Sequence, residues 1–161
     1  MASETPAPDP YRILLVEDDL DQAHLLKFLL EKEGSFIVTL AQDGLRGSAL
    51  VQEREWDLVI TDLNLPGADG MAVVEASRKH RPDAPILATT GYSGPEYADR
   101  ARKAGADDVL LKPLDRDDLL ARVSLLLTPP ESTSAPGRVT PAERVSATER
   151  TEGRESPAPT P

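Results

Sequence analysis

Between Tyr11 and Thr128 the chain alternates short apolar runs with longer amphipathic stretches, and few architectures accept that rhythm. The apolar runs are mostly continuous Ile, Leu and Val, as in strands covered on both faces of a parallel sheet. The strand candidates are Arg12 to Val16, Phe36 to Ala41, Asp57 to Thr61, Pro85 to Thr89 and Asp108 to Leu111. The intervening stretches, at about Leu20 to Glu33, Leu45 to Glu53, Gly70 to His80, Pro95 to Ala104 and Arg116 to Leu127, read as helices. Several have Asp, Ser or Gly ahead of the first turn, and Gly34 and Gly105 stand as stop signals. Five βα units with right-handed crossovers imply an α/β doubly wound sheet with helices on both faces. In such sheets ligands bind at the carboxyl ends of the strands.

Composition bounds the rest of the chain. Of 15 prolines, three lie in residues 1–10 and seven between Pro129 and Pro161. The last segment mixes Pro, Ser, Thr, Glu and Arg with hardly any large apolar side chain, too little burial to offset the entropy of ordering it. The expected organisation is a disordered tail at 1–10, one domain at 11–128, and a disordered tail at 129–161 without a second output domain. A helical turn at Ala142 to Arg150 has suitable Glu and Arg spacing but nothing to pack against. Absence of cysteine excludes disulfides, thiolate metal sites and thiol nucleophiles. The start of the chain lacks the basic and apolar regions of a signal peptide, and no run approaches the roughly 18 apolar residues of a membrane span, so a cytoplasmic location is expected. A net charge of −10 argues against direct binding to nucleic acid, which depends on Lys and Arg displacing counterions.

The strand ends carry the chemistry. The first leads into Glu17, Asp18 and Asp19, the third into Asp62, the fourth into Thr90, and the fifth into Lys112 followed by Pro113. Glu17, Asp18 and Asp62 offer oxygen ligands to a hard divalent cation such as Mg²⁺, which would also relieve their mutual repulsion. Asp62 is then a candidate nucleophile for phosphoryl transfer, with Lys112 and the Thr90 hydroxyl as contacts for phosphoryl oxygens.

The segments RILLVEDD, DLVITDLNLPGADG, PILATTG and DDVLLKP, in this order and spacing, closely resemble the receiver domains of two-component response regulators. The resemblance covers nearly all of residues 12–127. It implies a flavodoxin-like sheet of strand order 2-1-3-4-5, phosphorylation of Asp62, an acidic pair at Glu17 and Asp18, and a metal contact from the Asn64 backbone carbonyl. It further implies a switch hydroxyl at Thr90, a phosphate contact at Lys112 and a cis Lys112–Pro113 peptide. The partners it implies are a sensor histidine kinase or histidine phosphotransfer protein, and an effector protein at the face spanning Pro95 to Leu127. Arg100, Arg102 and Lys103 form a basic patch there. One position departs from the pattern: Val109 stands where the family usually has Tyr or Phe, which removes the usual aromatic coupled to the switch hydroxyl.

Taken singly, these residues have ordinary explanations. Asp19 and Asp21 fit a helix N-terminus, Asp62 precedes the turn formers Asn64, Pro66, Gly67 and Gly70, and His24 and His80 stand alone on helices among charged neighbours. Trp56 reads as a strand-edge packing residue and Tyr97 as a helix residue. The coincidence of Glu17, Asp18, Asp62, Thr90 and Lys112 at neighbouring strand ends favours a stand-alone phosphoacceptor module that signals through protein contacts or phosphate relay. It is not expected to turn over a free substrate as an enzyme. A Mg²⁺-dependent phosphohydrolase would need a general acid where Asn64 stands, and a lid. A phosphorylation-independent adaptor has Val109 as its one support. Tyr92, near the mouth of the site, is a candidate shield for an acyl phosphate. Tyr92→Ala is expected to shorten the lifetime of phosphorylated protein, followed by intact mass; an unchanged lifetime removes Tyr92 from this role.

Overall fold

The apolar runs form a five-stranded parallel sheet in the computed structural model, which describes residues 7–66 and 69–128. The elements are β1 Tyr11–Val16, α1 Leu20–Glu33, β2 Phe36–Ala41, α2 Gly44–Glu53, β3 Leu58–Asp62, α3 Gly70–His80, β4 Ile86–Thr90, α4 Pro95–Ala104, β5 Asp108–Leu111 and α5 Arg116–Leu127. The strand order is β2-β1-β3-β4-β5, the flavodoxin-like order implied by the resemblance. The expectations for residues 1–6 and 129–161, including the turn at Ala142 to Arg150, and for Gly67 lie outside the described residues.

Strand alternation distributes the core over both faces of the sheet. Ile13, Leu15, Leu58, Ile60, Leu87 and Leu110 pack with Leu26 and Leu30 of α1 and Leu119 and Val123 of α5. Their neighbours Leu14, Val16 and Val59 pack with Leu50 and Val51 of α2 and Val73 of α3. Ile86 and Ala88 close a third cluster with Met71, Val74 and Ala101, against which Val109 packs. Each fully buried Leu, Ile or Val contributes roughly 1.5–3 kcal/mol, so this double-sided burial fixes the register that aligns the strand ends.

Two strands run one residue further toward the site than the apolar pattern suggests. The Leu63 N–H donates to Thr89 O at 2.8 Å and the Lys112 N–H to Thr90 O at 2.7 Å, which carries the ladder up to Asp62 and Thr90. At the other ends, the Asp57 and Asp107 carboxylates accept from Arg12 N–H and Ile86 N–H. Trp56, two residues ahead of β3, packs as expected of a residue at that strand's edge. Its ring is buried in the second cluster and its indole N–H donates to Leu50 O at 2.9 Å, which satisfies the one polar atom a buried tryptophan carries.

Asp19, Asp43, Asp69 and Asp115 cap α1, α2, α3 and α5 by accepting from a backbone N–H in the first turn. Such caps contribute about 1 kcal/mol each. Helix α4 begins differently, with Gly94 at the cap, Pro95 behind it and no side-chain cap. On the free edge of β2, the Lys27–Glu31 pair of α1 occupies both Val38 O and Val38 N–H, which blunts that edge against pairing.

Gly105 ends α4 at φ 124°, in the left-handed region that favours glycine. Gly34, by contrast, is extended at φ −152°, and a Cβ there would lie 2.6 Å from the Phe36 ring. The tightest approach is at Gly70, where a Cβ would stand 1.9 Å from Asp62 O and 2.6 Å from Leu63 Cα. Gly70→Ala is therefore expected to destabilise the fold by at least about 1–3 kcal/mol, since backbone rather than a flexible side chain must move. Gly91→Ala, with nothing within 4 Å of its Cβ, should melt close to wild type. Thermal unfolding of the two variants checks the contrast.

Candidate functional site

Four strand ends meet at one edge of the sheet. Glu17 follows β1, and its backbone N–H continues the ladder to Ala41 O at 3.0 Å, which places its side chain inside the fold. Asp62 closes β3 and Thr90 closes β4; Glu17, Asp62 and Thr90 are 2%, 3% and 2% exposed. Lys112 follows β5, held by its backbone bond to Thr90 O, and the Lys112–Pro113 peptide is cis.

The Lys112 ammonium joins three elements. It donates to Asp62 Oδ2 at 2.8 Å, to Glu17 Oε2 at 2.9 Å and to Gln22 Oε1 at 3.1 Å. The remaining carboxylate oxygens are also engaged. Asp62 Oδ1 accepts from Asn64 N–H at 2.9 Å, and Glu17 Oε1 from Asp19 N–H at 3.2 Å. Asp18 is exposed. One carboxylate oxygen from each of Glu17, Asp18 and Asp62 lies within 4.8 Å of the others, close enough to share one cation. An all-oxygen, partly open cluster of this kind fits Mg²⁺, which keeps several waters and takes few carboxylates.

The electrostatics follow from burial. Desolvation lifts the Glu17 carboxyl above the usual range, against the opposing hydrogen bond and charge of Lys112. Burial works the other way on Lys112, yet its bonds to Asp62 and Glu17 and their charges together hold its pKa above the usual lysine range. The ammonium therefore stays charged at neutral pH and neutralises part of the cluster.

Every residue expected at the site is brought to this edge, although Thr90 and Asn64 are engaged with each other. Thr90 Oγ1 donates to Asn64 Oδ1 at 3.1 Å, and the same oxygen accepts from Gly91 N–H at 3.1 Å. Neither this use of the Asn64 side chain nor the Gln22 contact was foreseen. Asn64 looks like any turn asparagine, and Gln22 lies 90 positions from Lys112 in sequence, with only its place three residues after the Asp19 cap as a local signal. Asp19 is the N-cap of α1, accepting from Gln22 N–H at 3.0 Å, and Asp21 sits in the first turn. His24 and His80 are exposed. The Tyr92 ring is 54% exposed and stacks on Tyr97 of α4 with centroids 4.8 Å apart.

A family profile for the response regulator receiver domain matches residues 13–124. The chain belongs to that family. Its receivers are signalling modules, and this one is 36% identical over 130 residues to the transcriptional regulatory protein ZraR of Klebsiella oxytoca, covering 81% of this chain and 29% of ZraR. It is 40% identical over 131 residues to the photosynthetic apparatus regulatory protein RegA of Rhodobacter capsulatus, covering 79% of this chain and 71% of RegA. The chain thus spans under a third of ZraR and most of RegA. Among solved structures, a CheY-like receiver domain protein from Methanospirillum hungatei superposes with a TM-score of 0.70 at 32% identity, covering 73% of this chain and 94% of that one. The chemotaxis response regulator CheY4 of Vibrio cholerae superposes at 0.68 with 28% identity, covering 73% and 99%.

The raised Glu17 pKa has a stability consequence. The folded receiver holds the Glu17 proton more tightly than the unfolded chain, so the contribution of this group falls as pH rises from the unfolded through the folded pKa. Its ionised form therefore weakens the metal-free fold. Glu17→Gln keeps an acceptor for Lys112 and removes the charge. It should raise the melting temperature without metal and reduce the further rise that Mg²⁺ produces in wild type. Thermal melts at pH 7 with and without Mg²⁺ check both; a lower metal-free melting temperature would count against burial as the dominant effect.

Proposed function

We propose that this receiver accepts a phosphoryl group on Asp62 from the phosphohistidine of a sensor kinase or histidine phosphotransfer protein, and signals by the resulting change in surface. The observation that carries the reading is the Lys112 ammonium bonded to both Asp62 and Glu17 beside the three-carboxylate cluster. In the transfer, an Asp62 carboxylate oxygen attacks phosphorus in line, a P–O bond forms as the P–N bond breaks, and the donor imidazole leaves and takes up a proton. Lys112 stabilises negative charge on one phosphoryl oxygen, and the Thr90 hydroxyl donates to another. Glu17, Asp18, Asp62 and the Asn64 backbone carbonyl are the residues to hold Mg²⁺, which would supply charge neutralisation at the transferring group.

A protein effector at the face formed by α4, β5 and α5 fits this reading. Arg102 of α4 lies 3.9 Å from Asp108 of β5 on that face, and Arg100 lies over the Tyr97 ring at 5.9 Å. The net charge of −10 supports a protein partner over direct contact with nucleic acid, whereas ZraR carries transcriptional regulation in its name. Among the described residues no helix is long and apolar enough to cross a membrane, which is compatible with work in the cytoplasm. The same residues form one folded unit, consistent with a module that stores and passes on a phosphoryl group rather than turning over a free substrate.

Incubation with Mg²⁺ and a small acyl or amidophosphate donor should add a single phosphoryl group to wild type and none to Asp62→Asn, read by intact mass. No adduct on wild type with any donor or kinase would overturn the reading, and an adduct on both proteins would move the site away from Asp62.

A further inference from the structure

The single proton of the Thr90 hydroxyl is committed in this structure. It donates to Asn64 Oδ1 at 3.1 Å and accepts from Tyr92 N–H at 3.1 Å. With Gly91 N–H also donating to Asn64 Oδ1, one amide oxygen ties down both the Thr90 side chain and the backbone that begins the β4–α4 loop. Asn64 is itself held from below, through its N–H on Asp62 Oδ1 at 2.9 Å and through Leu63 N–H on Thr89 O at 2.8 Å.

Beyond Asn64, the loop is tied by the stack of Tyr92 on Tyr97. No atom lies within 4 Å of a Cβ built on Gly91. Among the described residues, α4, into which the loop runs, is the one helix without a side-chain cap, and Ala101 is its one buried residue. Thr90 is buried, so its hydroxyl has no bulk water to turn to and leaves Asn64 only for another acceptor. A hydroxyl has a single proton to donate. It serves either the Asn64 oxygen or a phosphoryl oxygen on Asp62.

We infer that the Asn64 side-chain amide holds the switch at rest, competing with the phosphoryl group for the Thr90 hydroxyl and the Gly91 N–H. The strength of that hold sets how readily the loop leaves its resting position. The inference rests on the phosphoacceptor reading and deepens it. Asn64 is a positioning residue, because its side chain acts through Thr90 and Gly91 rather than on the phosphoryl group.

Binding of beryllofluoride, as a phosphoryl mimic at saturating Mg²⁺, tests this together with melting temperatures measured without the mimic. Asn64→Ala, and Asn64→Leu as a variant of similar volume, both lose the acceptor oxygen and keep the backbone carbonyl. Each should bind the mimic about three- to tenfold more tightly than wild type, the equivalent of one or two released hydrogen bonds. Each should also melt at a lower temperature without the mimic, since the resting state alone has lost contacts. In a Thr90→Val background the affinity gain should shrink, because only the Gly91 N–H remains to be released. A gain of undiminished size there would mean that Asn64 acts elsewhere and would overturn the inference. Wild-type affinity in both Asn64 variants would overturn it too. Failure of wild type to bind the mimic would instead overturn the phosphoacceptor reading, and this inference with it.

Discussion

The site depends on one ammonium group lying between two buried carboxylates. Glu17 and Asp62 are nearly inaccessible, and their oxygens lie within 4.8 Å of each other. At an effective dielectric constant near 20, two such charges repel by about 3 kcal/mol or more, and burial adds a desolvation cost to each. The Lys112 ammonium, at 2.8 and 2.9 Å, offers about 6 kcal/mol of attraction to each before its own desolvation. That balance makes the cluster tolerable without making it neutral. Two carboxylates and the exposed Asp18 against one ammonium leave a negative residue, which is the condition for drawing in a divalent cation. The same pairing fixes the Lys112 ammonium beside Asp62 and Glu17 instead of leaving it free in solvent.

Such an arrangement could not be assembled from adjacent residues. Lys112 is 95 positions from Glu17 and 50 from Asp62, and the three meet because parallel strands β1, β3 and β5 bring their carboxyl ends to one edge. The packing that enforces the meeting is far from the polar groups, in the alternation of Leu14 and Val16 with Ile13 and Leu15 across the sheet. A one-residue slip in β1 would turn these sets inside out, so the same burial that stabilises the fold also fixes where Glu17 points. Gly70 adds a local constraint, since the start of α3 lies against the Asp62 carbonyl where no side chain fits.

Much of this was legible in the sequence because the strands are continuous Ile, Leu and Val runs that admit few alternatives. The helix limits at Leu20, Glu33, Gly70, His80, Pro95 and Ala104 also stood out, through caps, prolines and glycines that act locally. The acidic pair, Asp62, Thr90 and Lys112 were recognisable as a set, since four ordinary signals at four strand ends are jointly improbable. What escaped were interactions that need three dimensions. An asparagine after a strand reads as a turn former, so nothing marked the Asn64 side chain as the holder of Thr90 and Gly91. The Trp56 indole bond to the Leu50 carbonyl likewise had no local signal. Gln22 was hidden behind its place in the α1 cap.

The replacement of the usual aromatic by Val109 takes on a different weight once the surroundings of Thr90 are considered. Val109 pairs with Ala88 across the β4–β5 ladder and packs against the cluster beneath α4, where its short, branched side chain has no ring to swing. The aromatic rings that follow Thr90 in the chain are instead Tyr92 and Tyr97, stacked on each other with Arg100 over the second ring. Tyr92 is joined to the switch by its backbone, through its N–H on Thr90 Oγ1. Under the proposed function, rotation of the Thr90 side chain toward Asp62 would give up that bond as well as the one to Asn64. Helix α4 lacks a side-chain cap and rests on Ala101 and the partly buried Ala104, with Arg102 3.9 Å from Asp108. In this structure the contacts between Thr90 and the α4 surface therefore run through the loop backbone and the tyrosine stack, without an aromatic on β5.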